Sequence, residues 1–140
     1  ALRGRPVLTT MFYTSCQMVC PMIVEAIRAN ENQLSSVERE KMAVLMVTFD
    51  PDRDSVAVLK ATADKRGLSA PHWTLARCDA KSVRRMAAVL GIQYRQAADG
   101  EFNHSSTIIL LDRDGRIAAR TNNISGADPV FIKRIRSLLT

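Results

Sequence analysis

The apolar positions of the chain fall into two kinds of run. Residues 6–14 (PVLTTMFYT) and 42–49 (MAVLMVTF) are near-continuous stretches of β-branched, aromatic and aliphatic residues, the pattern of strands covered on both faces. Between them the period changes. From Val19 onward Met22, Ile23, Ala26 and Ile27 fall on one helical face and Glu25, Arg28 and Asn32 on the other, with Pro21 in the first turn where its missing N–H is harmless. This predicts a helix to about Ser35. Asp50-Pro51 ends the second strand, and Asp54 or Ser55 can cap a second helix running to Gly67, with Val56, Leu59 and Ala63 at helical spacing. Trp73–Cys78 is a third strand, and Val83, Met86, Ala87 and Leu90 mark a third helix closed by Gly91. Ser106–Leu111 and Arg116–Thr121 flank Asp112-Arg113-Asp114-Gly115 as a hairpin, and Val130, Phe131, Ile135 and Leu138 close the chain on an amphipathic helix. The order β-α-β-α-β-α-β-β-α predicts an α/β domain, a mixed sheet with helices on both faces.

Length and composition agree with that picture. The 140 residues are 46% hydrophobic and 24% charged, which suits one core and excludes disorder and fibrous repeats. No apolar run approaches the roughly 20 residues of a membrane-spanning helix. A formal charge of +6 raises the question of nucleic acid. The basic residues are spread along the chain (Arg28, Arg39, Lys60, Arg77, Arg95, Arg120), and only seven aromatic residues could stack on bases. No nucleic-acid partner is expected. Docking to an acidic partner or an anionic membrane surface is the functional use such charge could have.

Three cysteines are too few, and of the wrong parity, for a disulfide framework. Two of them, Cys16 and Cys20, stand between the first strand and the first helix, followed by Pro21. A helix N-terminus presents free N–H groups and the positive end of the dipole, which favours thiolate and makes a cysteine there nucleophilic and metal-competent. Within a regular helix the Cβ atoms of two residues at this spacing lie about 5–6 Å apart, too far for a disulfide but acceptable across a shared metal. Of the two histidines, His104 precedes the hairpin strand and His72 follows Pro71. Two soft thiolates and one imidazole suit Cu(I), and the same donors hold Cu(II) with an added oxygen ligand. Closed zinc sites want a fourth ligand, which is not evident here. His72 reads as a loop histidine, and Cys78 as a buried, inert thiol.

Taken jointly, Phe12-Tyr13-Thr14-Ser15-Cys16, Cys20-Pro21, Asp50-Pro51-Asp52-Arg53-Asp54, His104-Ser105, Leu111-Asp112 and Asp114-Gly115 resemble the Sco/SenC family, copper-binding thioredoxin-like proteins of cytochrome c oxidase assembly. The resemblance runs from about Arg3 to about Gly126. It implies a single thioredoxin-like domain over residues 1–140, with copper held by Cys16, Cys20 and His104. The loop that faces the cysteines in this fold usually carries a cis-proline; the prolines here are 6, 21, 51, 71 and 129, and His104 takes that place. Gln17 stands where the family commonly has proline and Asn103 where aspartate often precedes the histidine, positions that tune metal ligands from outside. The resemblance further implies a copper-site subunit of cytochrome c oxidase, or another cuproprotein, as acceptor, and a thioredoxin-like protein as reductant. A monomer is expected, in the periplasm or cell envelope, tethered to the inner membrane by an anchor that is expected, with the family's first hairpin, to precede Ala1.

The alternative is a thiol–disulfide oxidoreductase in which Cys16 attacks a partner disulfide and Cys20 resolves it. It differs from the copper reading over His104, which copper needs and exchange does not. Peroxide reduction by Cys16 fits less well, because the proline and threonine that precede a peroxidatic cysteine in this fold are represented here only by Thr14 and Ser15. Asp50 matches an acidic position near the family's metal site, but its simplest role is to shape an Asp-Pro turn, with Asp54 capping the next helix.

Overall fold

The computed structural model describes residues 4–13, 19–68, 72–92, 94–96, 102–104, 107–124 and 126–139. The two continuous apolar runs become the centre of the sheet. β1 (Val7–Phe12) is buried at every position and pairs in parallel with β2 (Ala43–Thr48), from Val7 opposite Ala43 to Phe12 opposite Thr48. β3 (Trp73–Ala76) adds in parallel to β2, while β6 (Ile108–Leu111) and β7 (Ile117–Thr121) continue the sheet antiparallel on the other side of β1. The order β3-β2-β1-β6-β7 is the mixed sheet expected from the sequence.

The helices take their faces from the chain's direction across this sheet. The crossovers from β1 to β2 through α1 (Val19–Asn32), and from β2 to β3 through α3 (Val56–Arg66), step the same way. Right-handed connections therefore put both helices on one face. Contacts agree: Arg28 of α1 donates to the Arg66 carbonyl at 2.5 Å. Asn30 of α1 accepts the Asp128 N–H at 3.0 Å, bringing α5 (Pro129–Leu139) to the same side. α4 (Ala80–Leu90) carries the chain back over the opposite face, where a Cβ on Gly91 would lie 2.7 Å from Arg120 Nη1 on β7. Gly91 also has φ +70°, so both crowding and backbone favour glycine there.

Several expectations are corrected. The first helix ends at Asn32, and a short α2 (Ser36–Glu40) follows under a capping box, with Ser35 Oγ accepting from the Glu38 N–H and Glu38 accepting from the Ser35 N–H. The third strand stops at Ala76, before Cys78. An additional pair, β4 (Tyr94–Gln96) and β5 (Phe102–His104), forms a separate antiparallel ribbon that apolar periodicity does not reveal. In α3 only Leu59 is buried; Val56 is 71% exposed, so the expected apolar face is a single anchor. Met22 and Val130 are likewise exposed, while Ile23, Ala26, Ile27, Phe131 and Ile135 enter the core as expected.

α5 begins on a cap absent from the sequence reading. Asp128 accepts from the Thr121 hydroxyl at 2.7 Å and from the Val130 and Phe131 N–H groups at 3.1 and 3.3 Å, ahead of Pro129. The Thr121 hydroxyl first, then the Phe131 N–H, hold its carboxyl below the usual carboxylate range. A depressed carboxyl adds stability that is complete above its unfolded pKa and fades as pH falls through the folded one. In urea melts between neutral pH and about pH 3, below the ordinary aspartate pKa, Asp128→Asn is therefore expected to flatten the wild-type loss of midpoint. An acid limb equally steep in the variant would remove Asp128 from the cause.

Candidate metal centre

Parallel pairing gathers the C-terminal ends of β1, β2 and β3 at one pole of the sheet. From the end of β1 the chain leads through residues 14–18 into α1, whose first turn holds Cys20. Cys16 lies outside the described residues, and Cys20 and His104 are described through their backbone. α1 carries no acidic residue in its first turn, so nothing on the helix itself offsets the positive end of its dipole.

β6 starts at the same pole. The Thr10 hydroxyl donates to the Thr107 carbonyl at 2.8 Å, fixing the entry of β6 beside the C-terminal half of β1. His104 ends β5, directly opposite Tyr94, and is three residues before Thr107 in the chain. Three residues span at most about 11 Å, so the chain holds the His104 backbone within that reach of Thr107, at the entry of β6 beside β1. Among the described residues, no three His, Cys, Asp or Glu side chains gather as a metal cluster.

The loop after β2 closes this pole with a network of its own. Asp50 is 6% exposed, and its carboxylate pairs with Arg53. Its carbonyl accepts the Arg53 and Asp54 N–H groups at 3.2 and 2.8 Å, and its N–H donates to the Thr48 hydroxyl oxygen at 2.9 Å. That hydroxyl donates in turn to the buried Asp54 carboxylate at 2.6 Å, and Arg77 donates to the Pro51 carbonyl at 2.7 Å. Asp50 and Asp54 thus build the loop, while Ser55, not Asp54, caps α3. Buried carboxylates are tolerable here because each meets a donor.

Cys78 is half-buried rather than fully buried. Burial first, then the neighbouring Asp79, pushes its thiol pKa up against the opposing pull of Arg77. It is accordingly a poor thiolate source, in keeping with an inert role. His72 is not a free loop residue: its Nε2 pairs with the Glu31 carboxylate, which is nearly buried at the end of α1. Sequence reading missed this because the partners are 41 positions apart.

Comparison with known proteins shows where this architecture recurs. The SCO1/SenC family model matches residues 1–140. A Stutzerimonas stutzeri protein named for copper binding is 26% identical over 125 residues, covering 83% of this chain. The chain spans 57% of that curated relative's length. Among solved structures, a SCO1/SenC family lipoprotein from Bacillus anthracis superposes with a TM-score of 0.85 at 21% identity, over 99% of this chain and 84% of that one. Copper-bound ScoI of Bradyrhizobium japonicum gives 0.73 at 23% identity, over 98% and 87%. Copper-bound yeast Sco1 gives 0.77 at 20%, over 97% and 76%. The fold is therefore the thioredoxin-like α/β fold of these proteins.

Proposed function

The chain belongs to the SCO1/SenC family, and from that membership we propose that it is a copper-binding assembly factor that hands copper to the binuclear copper site of cytochrome c oxidase. Cys16 and Cys20 act as thiolate ligands and His104 as the imidazole ligand. The observation that carries this reading is the whole-chain family match, together with the backbone positions of Cys20 at the start of α1 and His104 just before β6. Two thiolates and an imidazole form a soft donor set that prefers Cu(I). The start of α1, free of acidic residues, favours the thiolate form that copper requires. Delivery is a ligand exchange in which acceptor thiolates replace Cys16 and Cys20 on the ion.

The acceptor's cysteines must be reduced before loading, so the same pair can also act as a thiol–disulfide reductant, re-reduced by a thioredoxin-like partner. The domain works in the cell envelope, tethered to a membrane; the Bacillus anthracis relative is a SCO1/SenC family lipoprotein. Among the described residues of this chain, no helix is long and apolar enough to cross a membrane.

Anaerobic titration of the reduced chain with Cu(I), and separately with Cu(II), tests the assignment. Wild type is expected to bind one equivalent of each, and His104→Ala to lose the wild-type Cu(II) spectrum and bind Cu(II) more weakly. No copper binding by wild type, or an unchanged Cu(II) spectrum and affinity in His104→Ala, would falsify it. Equal disulfide reduction by both proteins in that case would make the oxidoreductase reading the better one.

A further inference from the structure

The end of the sheet opposite the cysteine-bearing junction carries a surface that copper handling does not use. Val7 pairs with Leu111, so the β6–β7 turn sits at the N-terminal end of β1. Across the strand Val7–Phe12 that is about 17 Å from the junction end, at 3.3 Å per residue. The Gly4 N–H donates to the Arg113 carbonyl at 3.1 Å, tying the segment before β1 to the turn.

Arg5, Arg113, Arg116 and Arg134 are all exposed at this end. Arg5 and Arg113 rim a concavity of about 210 Å³ whose apolar floor is Val7, Leu45 and Leu111. Ile117, opposite Leu111, adds a 40% exposed side chain beside it. Two acids share the surface. Asp112 is turned into the hairpin, accepting the Asp114 and Arg116 N–H groups at 2.9 and 3.0 Å, and the Arg116 N–H leads the effects that lower its pKa. Asp114 is exposed. Four guanidiniums thus face two carboxylates, one of them committed to the turn. Arg116 and Arg134 lie near Asp112, much as Arg84 and Arg85 lie near Asp79 at the junction end, and what sets the hairpin end apart is that its arginines gather beside exposed apolar surface.

We propose that this hairpin end docks on an anionic phospholipid surface, its guanidiniums on headgroup phosphates and its apolar floor, with Ile117, toward the hydrocarbon boundary. Guanidinium forks match phosphate oxygens bidentately. Four arginines against two aspartates beside an apolar floor leave a net positive surface next to hydrocarbon, the combination that an anionic leaflet accepts. Docking there turns the junction end, with Cys20 and the loop of Asp50, away from the bilayer and toward a soluble acceptor domain. The inference stands apart from the copper reading, since its test reads lipid alone.

The test is flotation of the chain with vesicles of phosphatidylcholine, with and without about one-third phosphatidylglycerol, at low and physiological salt, where screening should weaken binding. Wild type is expected to float only with the anionic vesicles. Arg113→Glu/Arg116→Glu should lower partitioning by at least about tenfold, given the attraction each basic residue supplies near an anionic leaflet. Arg84→Glu/Arg85→Glu, the same charge change on exposed positions of α4, should retain most of it. Circular dichroism checks that both variants fold. Failure of wild type to float, or equal losses in the two variants, overturns the proposal. Retention on immobilised polyglutamate without vesicle binding would also overturn it and give the patch to an acidic protein.

Discussion

His72→Ala is expected to destabilise the protein by about 2 kcal/mol, toward the lower end of what leaving a buried charged acceptor without its donor costs. The Glu31 side chain is only 7% accessible, and the imidazole of His72, 28% accessible, is its hydrogen-bond partner. Removing the imidazole leaves a carboxylate in a cleft it cannot leave, because Glu31 sits in the last turn of α1 and its backbone carbonyl is held by the Leu34 N–H. The lower end applies because the cleft, about 500 Å³ and lined also by Arg28 and Arg39, is open enough to admit water to the orphaned carboxylate. Against a typical domain stability of roughly 5–15 kcal/mol, such a loss is a large fraction.

Urea unfolding followed by the fluorescence of Trp73 measures it directly, since this is the only tryptophan and its ring meets His72 edge-on at 6.4 Å. The double variant Glu31→Met/His72→Ala should regain much of the loss, because replacing both partners removes the stranded charge. A single-variant loss under about 1 kcal/mol, the range of exposed ion pairs, would show that the pair contributes as a surface contact only.

Cys20→Ser is expected to lower Cu(I) affinity by more than a hundredfold, beyond the 10–100-fold typical of changes outside the ligand shell. A serine hydroxyl is hard, stays protonated at neutral pH and cannot replace a thiolate on a soft ion. Cys16→Ser should behave alike, whereas Cys78→Ser should bind as wild type, because the Cys78 thiol is held protonated by burial and by Asp79. Competition with a Cu(I) chelator of known affinity ranks the three variants. Near-wild-type binding by Cys20→Ser, or a Cys78→Ser defect as large as the others, would sink the ligand assignment.

Much of the fold was readable because its signals are local. The runs 6–14 and 42–49 announce strands buried on both faces, and β1 and β2 are those strands. Gly67 and Gly91 end helices in left-handed conformation, at φ +69° and +70°, where the chain punctuation placed them. Val56 misled for a physical reason: helical spacing reports which residues share a face, not which face meets the sheet. α3 lies toward the edge strand β3, its best contact, and needs only Leu59 to hold it there. The β4–β5 ribbon escaped notice because strands of three residues are too short to establish a period.

The sequence by itself determined the chemistry available to this protein: which residues are thiols and imidazoles, their order around strand ends, and the family that this order identifies. Only the tertiary structure decided which charges are spent and which are free. It matched His72 with Glu31, turned Asp50 and Asp54 into the frame of a loop, and capped α5 with Asp128. It also brought Arg5 and Arg134, far apart in the chain, beside Arg113 and Arg116 of the hairpin at one end of the sheet. The His72–Glu31 pairing, 41 positions apart, depends on distance in space, which strand order and register set, while the Thr48–Asp54 and Thr121–Asp128 pairs, six and seven positions apart, form only when the turn between them closes.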